Sequence, residues 1–136
     1  RDYDLRTILD ATLVQAAPHL AVTLVENHDT HPLQALEAPV EAWFKPLAYA
    51  IILLRQDGIP CVFYPDLYGA RYTDTGGDGQ EYHIVIDPVP GLPELLRARR
   101  ERACGVQRDY FESAQVIGWI REGLEESPHT GLAVVM

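Results

Sequence analysis

Apolar positions along this chain recur with two different spacings, which predict helices that alternate with strands. Apolar residues three and four positions apart indicate helices, and short continuous apolar runs indicate strands between them. In chain order we predict helix 4–15, strand 22–25, helix 43–56, strand 59–64, a long irregular segment over 65–90, helix 91–104, strand 116–120 and a final strand from 132 that pairs back as a hairpin. This order indicates an α/β region followed by the start of an all-β region.

Several of these elements also predict which side chains form the core. The run over 59–64 is almost entirely apolar, which is typical of a parallel strand that is covered on both faces. Trp43 and Phe44 lie on the apolar stripe of the second helix, and we expect both in the core. Trp119 lies among apolar neighbours in a strand, and we expect it in the core of the β region. Irregular segments as long as 65–90 are usually functional.

Composition limits the class of protein and its partners. The chain has 136 residues, 47% of them hydrophobic, so it can build a real core. Its net charge of −9 opposes binding to phosphate backbones, and we expect no nucleic-acid partner. No apolar run approaches the roughly 20 residues that span a membrane. Cys61 and Cys104 are expected to be reduced, mostly buried thiols. The chain begins at Arg1 and ends within an apolar run, so we expect it to be cut from a larger protein.

The sequence Asn27-His28-Asp29 directly follows the first predicted strand and is the main candidate for chemistry. The tip of a buried strand is where α/β barrels present catalytic side chains. By residue type alone, the three side chains could form an acid–base pair, a metal site or a set of ligands for sugar hydroxyls. They could equally cap the loop, since Asn and Asp side chains often bind turn amides.

The surrounding sequence resembles the α-amylases of glycoside hydrolase family 13. The resemblance runs along essentially the whole chain and is similar to the bacterial liquefying and intracellular branches of that family. It is carried by V-E-N-H-D-T-H-P-L (25–33), L-E-A-P-V (36–40), G-I-P-C-V-F-Y-P-D-L-Y-G (58–69), G-G-D-G-Q (76–80) and G-W-I-R-E-G (118–123).

This resemblance implies a fold and a domain division. Residues 1–107 would be the C-terminal part of a (β/α)8 TIM barrel, containing its last two strand–helix units, the seventh and eighth strands. Residues 108–136 would begin a β-sandwich domain. The family cleaves internal α-1,4-glucosidic bonds of starch, glycogen and maltodextrins with retention of configuration, using an Asp nucleophile, a Glu acid/base and a second Asp that stabilises the transition state.

The resemblance also implies roles for single residues. Asp29 matches the transition-state-stabilising Asp, and His28 matches the neighbouring His that binds substrate hydroxyls. Asn27 and His31 are expected to contact the α-glucan as well, and a solvated position in the loop is equally open to His31. The nucleophile and the acid/base belong to strands that would precede Arg1. We therefore expect the complete protein to be an α-amylase and this chain alone to be inactive.

Calcium is typical of the family, and its ligands are expected mostly outside this chain. A second family site would lie near Tyr3 and the pair Arg108-Asp109, where the Arg replaces a ligand with a cation. We therefore predict no metal ligand here and expect Asp109 to form a salt bridge or a turn. Asp66 follows the second strand, and either a substrate-loop role or a loop-stabilising role is open to it.

Two further interpretations stay open. Tyr68, Tyr72 and Tyr82 could stack on glucose rings or could pack within the long loop. The chain could also be a truncated, non-catalytic remnant or a weak glucan-binding module. The likeness to the intracellular branch implies a cytoplasmic location.

Overall fold

The computed structural model describes residues 4–136, in which short helices connect three small sheets. Two single 3-10 turns cover Leu5–Thr7 and Pro18–Leu20. The helices and strands, in chain order, are α1 (Leu13–Ala16), β1 (Val22–Leu24), α2 (Lys45–Leu54), β2 (Ile59–Cys61), α3 (Tyr64–Tyr68), β3 (Ala70–Thr75), β4 (Glu81–Ile86), α4 (Leu92–Glu101), β5 (Gln107–Tyr110), β6 (Gly118–Arg121) and β7 (Leu132–Val135).

Strands β1 and β2 form a parallel pair, joined through helix α2, as predicted. Val22 lies opposite Ile59 and Leu24 opposite Cys61. The expectation that the second strand is covered on both faces is wrong for the described residues. Ile59 is 54% exposed, and Cys61 is a free, exposed thiol rather than a buried one. Exposed residues alternate along both strands, so one face of this two-stranded sheet is uncovered; these residues are Val22, Leu24, Ile59 and Cys61.

The predicted helix over 4–15 is wrong, because the chain forms a 3-10 turn and then a separate short helix, each with its own side-chain cap. The Asp4 carboxylate accepts from the backbone N–H of Arg6 and begins a 3-10 turn. Ala11 then adopts a positive φ of 57°, which ends helical geometry. The Thr12 hydroxyl accepts from the N–H of Gln15 and begins helix α1. Thr12 fits the apolar stripe by spacing, but it serves as a cap.

We predicted an irregular segment over 65–90, and this prediction is also wrong. The segment contains most of helix α3 and a β-hairpin. Strands β3 and β4 pair antiparallel from Ala70 opposite Ile86 to Thr75 opposite Glu81. Burial alternates along β3, and β4 places Ile84 and Ile86 inward. Aromatic and β-branched residues in alternation, around a Gly-rich turn, are a hairpin signal that the sequence carries.

The hydrophobic core joins the helices to the β-sheet that follows them. Tyr49 and Leu53 of α2 pack with Leu92 of α4 and with Trp119 of β6, and each of these side chains is at most 1% exposed. Trp119 is thus buried as expected, but against helix α2, and its indole N–H donates to the Leu54 carbonyl at 3.3 Å. The division at 107/108 stays a prediction, since this core contains residues from both sides of it.

The expectation that Trp43 lies in the core is wrong. Its side chain is 73% exposed, because helix α2 begins only at Lys45 and Trp43 precedes it. Phe44 is half-buried and stacks edge-on against Trp43, with ring centroids 5.5 Å apart. The stripe predicted from spacing therefore begins two residues before the helix does.

Arg55 connects the helical part to the three-stranded sheet through an ion pair in which the arginine is buried and Asp109 is partly exposed. Its two terminal nitrogens donate to the two Asp109 oxygens at 2.7 and 2.9 Å. The guanidinium carbon lies 5.2 Å from the Phe111 ring and 5.5 Å from the Trp119 ring. Asp109 therefore has the predicted salt-bridge role. Tyr3, named above for the second calcium site, lies outside the described residues.

Gly58, at the turn from α2 into β2, should tolerate substitution less well than Gly91. Both have a positive φ, 87° and 77°, and a side chain there costs about 1–2 kcal/mol. A Cβ at Gly58 would also lie 2.7 Å from Cγ2 of Thr23 and 3.1 Å from Cγ2 of Val14, whereas a Cβ at Gly91 meets nothing within 4 Å. We expect Gly58→Ala to lower the free energy of unfolding by about 1–3 kcal/mol more than Gly91→Ala. Urea unfolding of both variants tests this, and equal losses would contradict it.

Candidate active site

The loop between β1 and α2 carries the predicted motif and folds back on itself. The N–H of Leu36 donates to the Asp29 carbonyl at 3.2 Å, and the N–H of Ala38 donates to the Thr30 carbonyl at 2.9 Å. The loop therefore has a defined course, although it contains no helix or strand. Near its start, the loop presents His28 and Asp29 just beyond the end of a parallel strand.

Asn27 caps the start of this loop. Its side-chain oxygen accepts from the N–H of Asp29 at 3.0 Å and from the N–H of Thr30 at 3.1 Å. This is an Asx turn, in which a side chain takes the place of a backbone acceptor. The loop-cap interpretation thus describes the oxygen of Asn27, and a contact of Asn27 with substrate stays a prediction.

His28 and Asp29 lie side by side and are open to solvent. Nε2 of His28 is 3.3 Å from Oδ1 of Asp29, and the side chains are 84% and 52% exposed. An accessible carboxylate can accept two hydrogen bonds from neighbouring hydroxyls, and a neighbouring imidazole can add a third contact. The structure thus brings these two predicted residues together.

His31 is oriented by aromatic neighbours beyond the loop. Its Nδ1 lies 3.0 Å from the hydroxyl of Tyr72 in β3, and its ring stacks on Phe63 with centroids 5.8 Å apart. Nearby, the Gln34 side chain donates to the Asp74 carboxylate at 3.3 Å. Two residues of strand β3, Tyr72 and Asp74, therefore contact the loop at His31 and Gln34.

The three loop tyrosines have different environments. Tyr72 packs against His31, and burial followed by the charge of Asp74 raises its pKa. The Tyr82 hydroxyl donates to the Asp78 carboxylate at 2.7 Å. Tyr68 is 64% exposed, and its ring centroid lies 4.7 Å from that of Tyr64. Packing accounts for Tyr72, while sugar stacking by any of the three stays a prediction.

A buried cluster of charged residues beneath the loop was not predicted from the sequence. Lys45 Nζ donates to Glu26 Oε2 and to Asp66 Oδ1, both at 2.8 Å. The Tyr49 hydroxyl donates to the other Asp66 oxygen at 2.6 Å. Glu26 and Asp66 are 3% and 0% exposed. Of the two roles open to Asp66, these contacts correspond to the loop-stabilising one.

The charge states of this cluster follow from its contacts. Burial alone would lower the pKa of Lys45, but hydrogen bonds and negative charge from Asp66 and Glu26 outweigh burial and raise that pKa. Burial, and then the hydrogen bond to Asp66, raise the pKa of Tyr49. Lys45 is therefore a cation between two carboxylates, and Tyr49 is a neutral donor. Lys45 is the only lysine in the chain and lies among apolar residues at the start of a predicted helix. This position was the one sequence signal that could have indicated a buried charged cluster.

We expect Tyr49→Phe to lower the free energy of unfolding at pH 7 by about 1.5–3 kcal/mol, since a buried carboxylate loses a donor. Above pH ~10, the unfolded chain releases the phenolic proton and the folded chain keeps it, so wild-type stability falls as the pH rises. The phenylalanine variant has no phenolic proton to release at this position. The difference in the free energy of unfolding between wild type and variant should therefore narrow at high pH. Urea unfolding at pH 7 and pH 10.5 tests this, with the exposed Tyr64→Phe as control. A constant gap would contradict it.

Across residues 4–136, no three His, Cys, Asp or Glu side chains are grouped to hold a metal ion. Calcium in the complete protein stays a prediction. In the same part of the chain, no helix has the length and apolarity needed to cross a membrane.

Comparison with known proteins identifies relatives of the whole chain. No protein-family model matches it. The cytoplasmic α-amylase of Escherichia coli (strain K12) is 59% identical over 136 residues, which is 100% of this chain and 27% of that protein. The α-amylase of Geobacillus stearothermophilus is 48% identical, over 98% of this chain and 23% of that protein. The α-amylase of Bacillus licheniformis is 45% identical, over 98% of this chain and 25% of that protein. The chain is thus a relative of the α-amylases and matches, from end to end, about a quarter of their length.

Proposed function

We propose that the complete protein is an endo-acting, retaining α-1,4-glucan hydrolase, and that this chain supplies its transition-state-stabilising carboxylate, Asp29. The observation that supports this most directly is the similarity, over the whole of this chain, to proteins named α-amylases, at up to 59% identity among the relatives above. The exposed pair of His28 and Asp29 at the end of a parallel strand is compatible with that role.

The chemistry assigned to Asp29 follows from its charge and accessibility. Cleavage of a glucosidic bond builds positive charge on the sugar ring, and a nearby carboxylate stabilises that charge. The same carboxylate can accept hydrogen bonds from two ring hydroxyls. We assign His28 to a third hydroxyl, and Asn27 and His31 to the wall of the substrate site. The nucleophile and the acid/base are assigned to parts of the complete protein other than this chain.

The proposed architecture places β1 and β2 as neighbouring strands of a (β/α)8 barrel, followed by a β-sandwich that begins at residue 108. The parallel pairing of β1 with β2 and the antiparallel sheet of β5, β6 and β7 support this arrangement. We also propose a cytoplasmic location, on the basis of the name of the Escherichia coli relative. The proposed partner is an α-glucan such as starch, glycogen or a maltooligosaccharide.

The complete protein should hydrolyse a maltooligosaccharide with blocked ends, whereas the 136-residue chain alone should not, because it lacks a nucleophile and a proton donor. Release of a chromogenic group from the blocked substrate measures internal cleavage, and NMR of the first products measures whether the anomeric configuration is retained. An inactive complete protein would contradict the hydrolase and favour the remnant or a glucan-binding module. Activity of the isolated chain would contradict the assignment of the missing groups.

A further inference from the structure

Glu26 joins both ends of the loop that carries His28 and Asp29. One of its carboxylate oxygens accepts from the N–H of Val40 at 2.7 Å, where the loop returns towards α2. The other accepts from Lys45 Nζ at 2.8 Å. Glu26 itself lies at the start of the loop, directly before Asn27. A single side chain near the start of the loop therefore contacts the returning part of the loop at Val40 and the first residue of α2, Lys45.

The surroundings of Glu26 make these contacts rigid. The Glu26 side chain is 2% exposed and that of Lys45 is 13% exposed, so water cannot easily replace either contact. Asp66, whose own position is fixed by the Tyr49 hydroxyl, holds the lysine from the other side. Hydrogen bonds with a charged partner are shorter and stronger than neutral ones, and burial strengthens them further.

We propose that Glu26 is a positioning residue for the Asp29 carboxylate, acting through the loop that it closes. The inference rests on the proposed function only for its effect on hydrolysis. Asp29 itself is half exposed, and its carbonyl accepts one hydrogen bond from the N–H of Leu36, in the returning part of the loop. Its location relative to bound sugar is therefore set by the course of the loop. A carboxylate that stabilises a transition state must be held close to its working position, and a shift of about 1 Å can cost about 100-fold in rate.

Two variants of Glu26 separate its contacts. Glu26→Ala removes both the contact to Val40 and the contact to Lys45. Glu26→Gln keeps an oxygen that can accept from Val40, but it loses the charge that pairs with Lys45. We expect the complete protein to lose kcat by about 100-fold for Glu26→Ala, with a smaller change in KM, and by less for Glu26→Gln.

Asp109→Ala is the matched control. It also removes a carboxylate from a buried cation, Arg55, but that ion pair lies at the joint with the β-sheet rather than at the loop. Both alanine variants should lose thermal stability, and only Glu26→Ala should lose kcat at a temperature where both are folded. Equal loss of kcat in the two alanine variants would overturn the proposal, since it would indicate a general effect of instability.

Amide hydrogen exchange of the complete protein gives a readout that does not depend on hydrolysis. We expect peptides that cover residues 33–40 to exchange at least tenfold faster in both Glu26 variants than in wild type, and at the wild-type rate in Asp109→Ala. Unchanged exchange of these peptides in Glu26→Gln would overturn the positioning role even if Glu26→Ala fails to fold. A wild type without glucan hydrolysis would overturn the proposed function instead, and the exchange result would still decide whether Glu26 holds the loop.

Discussion

Asp29→Asn should reduce kcat of the complete protein on an α-1,4-glucan by on the order of a thousandfold or more. The substitution keeps the size and shape of the side chain and removes its negative charge. The backbone N–H of Asp29 binds Asn27 and its carbonyl accepts from Leu36, so the loop contacts do not depend on the Asp29 carboxylate. We therefore expect the variant to fold and to lose only the stabilisation of positive charge on the sugar. Initial rates on a blocked maltooligosaccharide, together with a thermal unfolding curve, measure both effects.

Asp87→Asn is a suitable control for this experiment. Asp87 is another exposed aspartate, next to the hairpin, and its side chain is 77% exposed and paired with Arg71. Its replacement removes the same charge from the surface without touching the loop, and activity should stay within about twofold of wild type, as for most surface substitutions. If Asp29→Asn retained comparable activity, the Asn27-His28-Asp29 motif would be a loop cap in this protein, and the catalytic assignment would be wrong.

The sequence predicted those elements whose local signals agree with their packing. Helix α2 follows its apolar stripe, and the parallel pairing of β1 with β2 follows from two apolar runs separated by a helix. The pairing of β6 with β7 was predicted from two strand-like runs, one over 116–120 and one from 132. Failures arose where a side chain with a second role interrupts a pattern. Thr12 fits a stripe by spacing yet caps a new helix, and Trp43 fits the stripe of α2 yet precedes its first turn.

The candidate site was predictable only in part, for a related reason. His28 and Asp29 are adjacent in the chain, so sequence alone brings them together. Glu26, Lys45 and Asp66 are spread over 40 positions and meet only because β1, α2 and α3 converge. Residue spacing predicts which side chains are neighbours within one helix or strand. It does not predict a cluster whose residues come from three separate elements. The single lysine of the chain indicated a charge among apolar residues, but the sequence did not identify Glu26 and Asp66 as its partners.

Lys45→Met should lower the free energy of unfolding by about 3–5 kcal/mol, the largest effect on stability that we expect from one substitution here. Methionine preserves the length of the side chain and removes the cation that lies between Glu26 and Asp66. Two buried carboxylates are then left without their shared partner. Urea unfolding of the 136-residue chain, followed by the fluorescence of the buried Trp119, measures the loss. Arg71→Met is the control, since its ion pair with Asp87 is exposed and should contribute no more than about 1 kcal/mol.

The double variant Lys45→Met/Asp66→Asn distinguishes an unpaired charge from simple loss of packing. If the destabilisation comes from two carboxylates without a cation, neutralising one of them should recover part of the stability lost in Lys45→Met. The asparagine oxygen can still accept from Tyr49, so the hydrogen bond beneath the loop is retained. If loss of packing dominates, the second substitution should add to the first, as independent changes do. A double variant less stable than Lys45→Met would therefore contradict the charge argument. A more stable one would indicate that Lys45 serves to compensate the two acids, one of which closes the loop that carries Asp29.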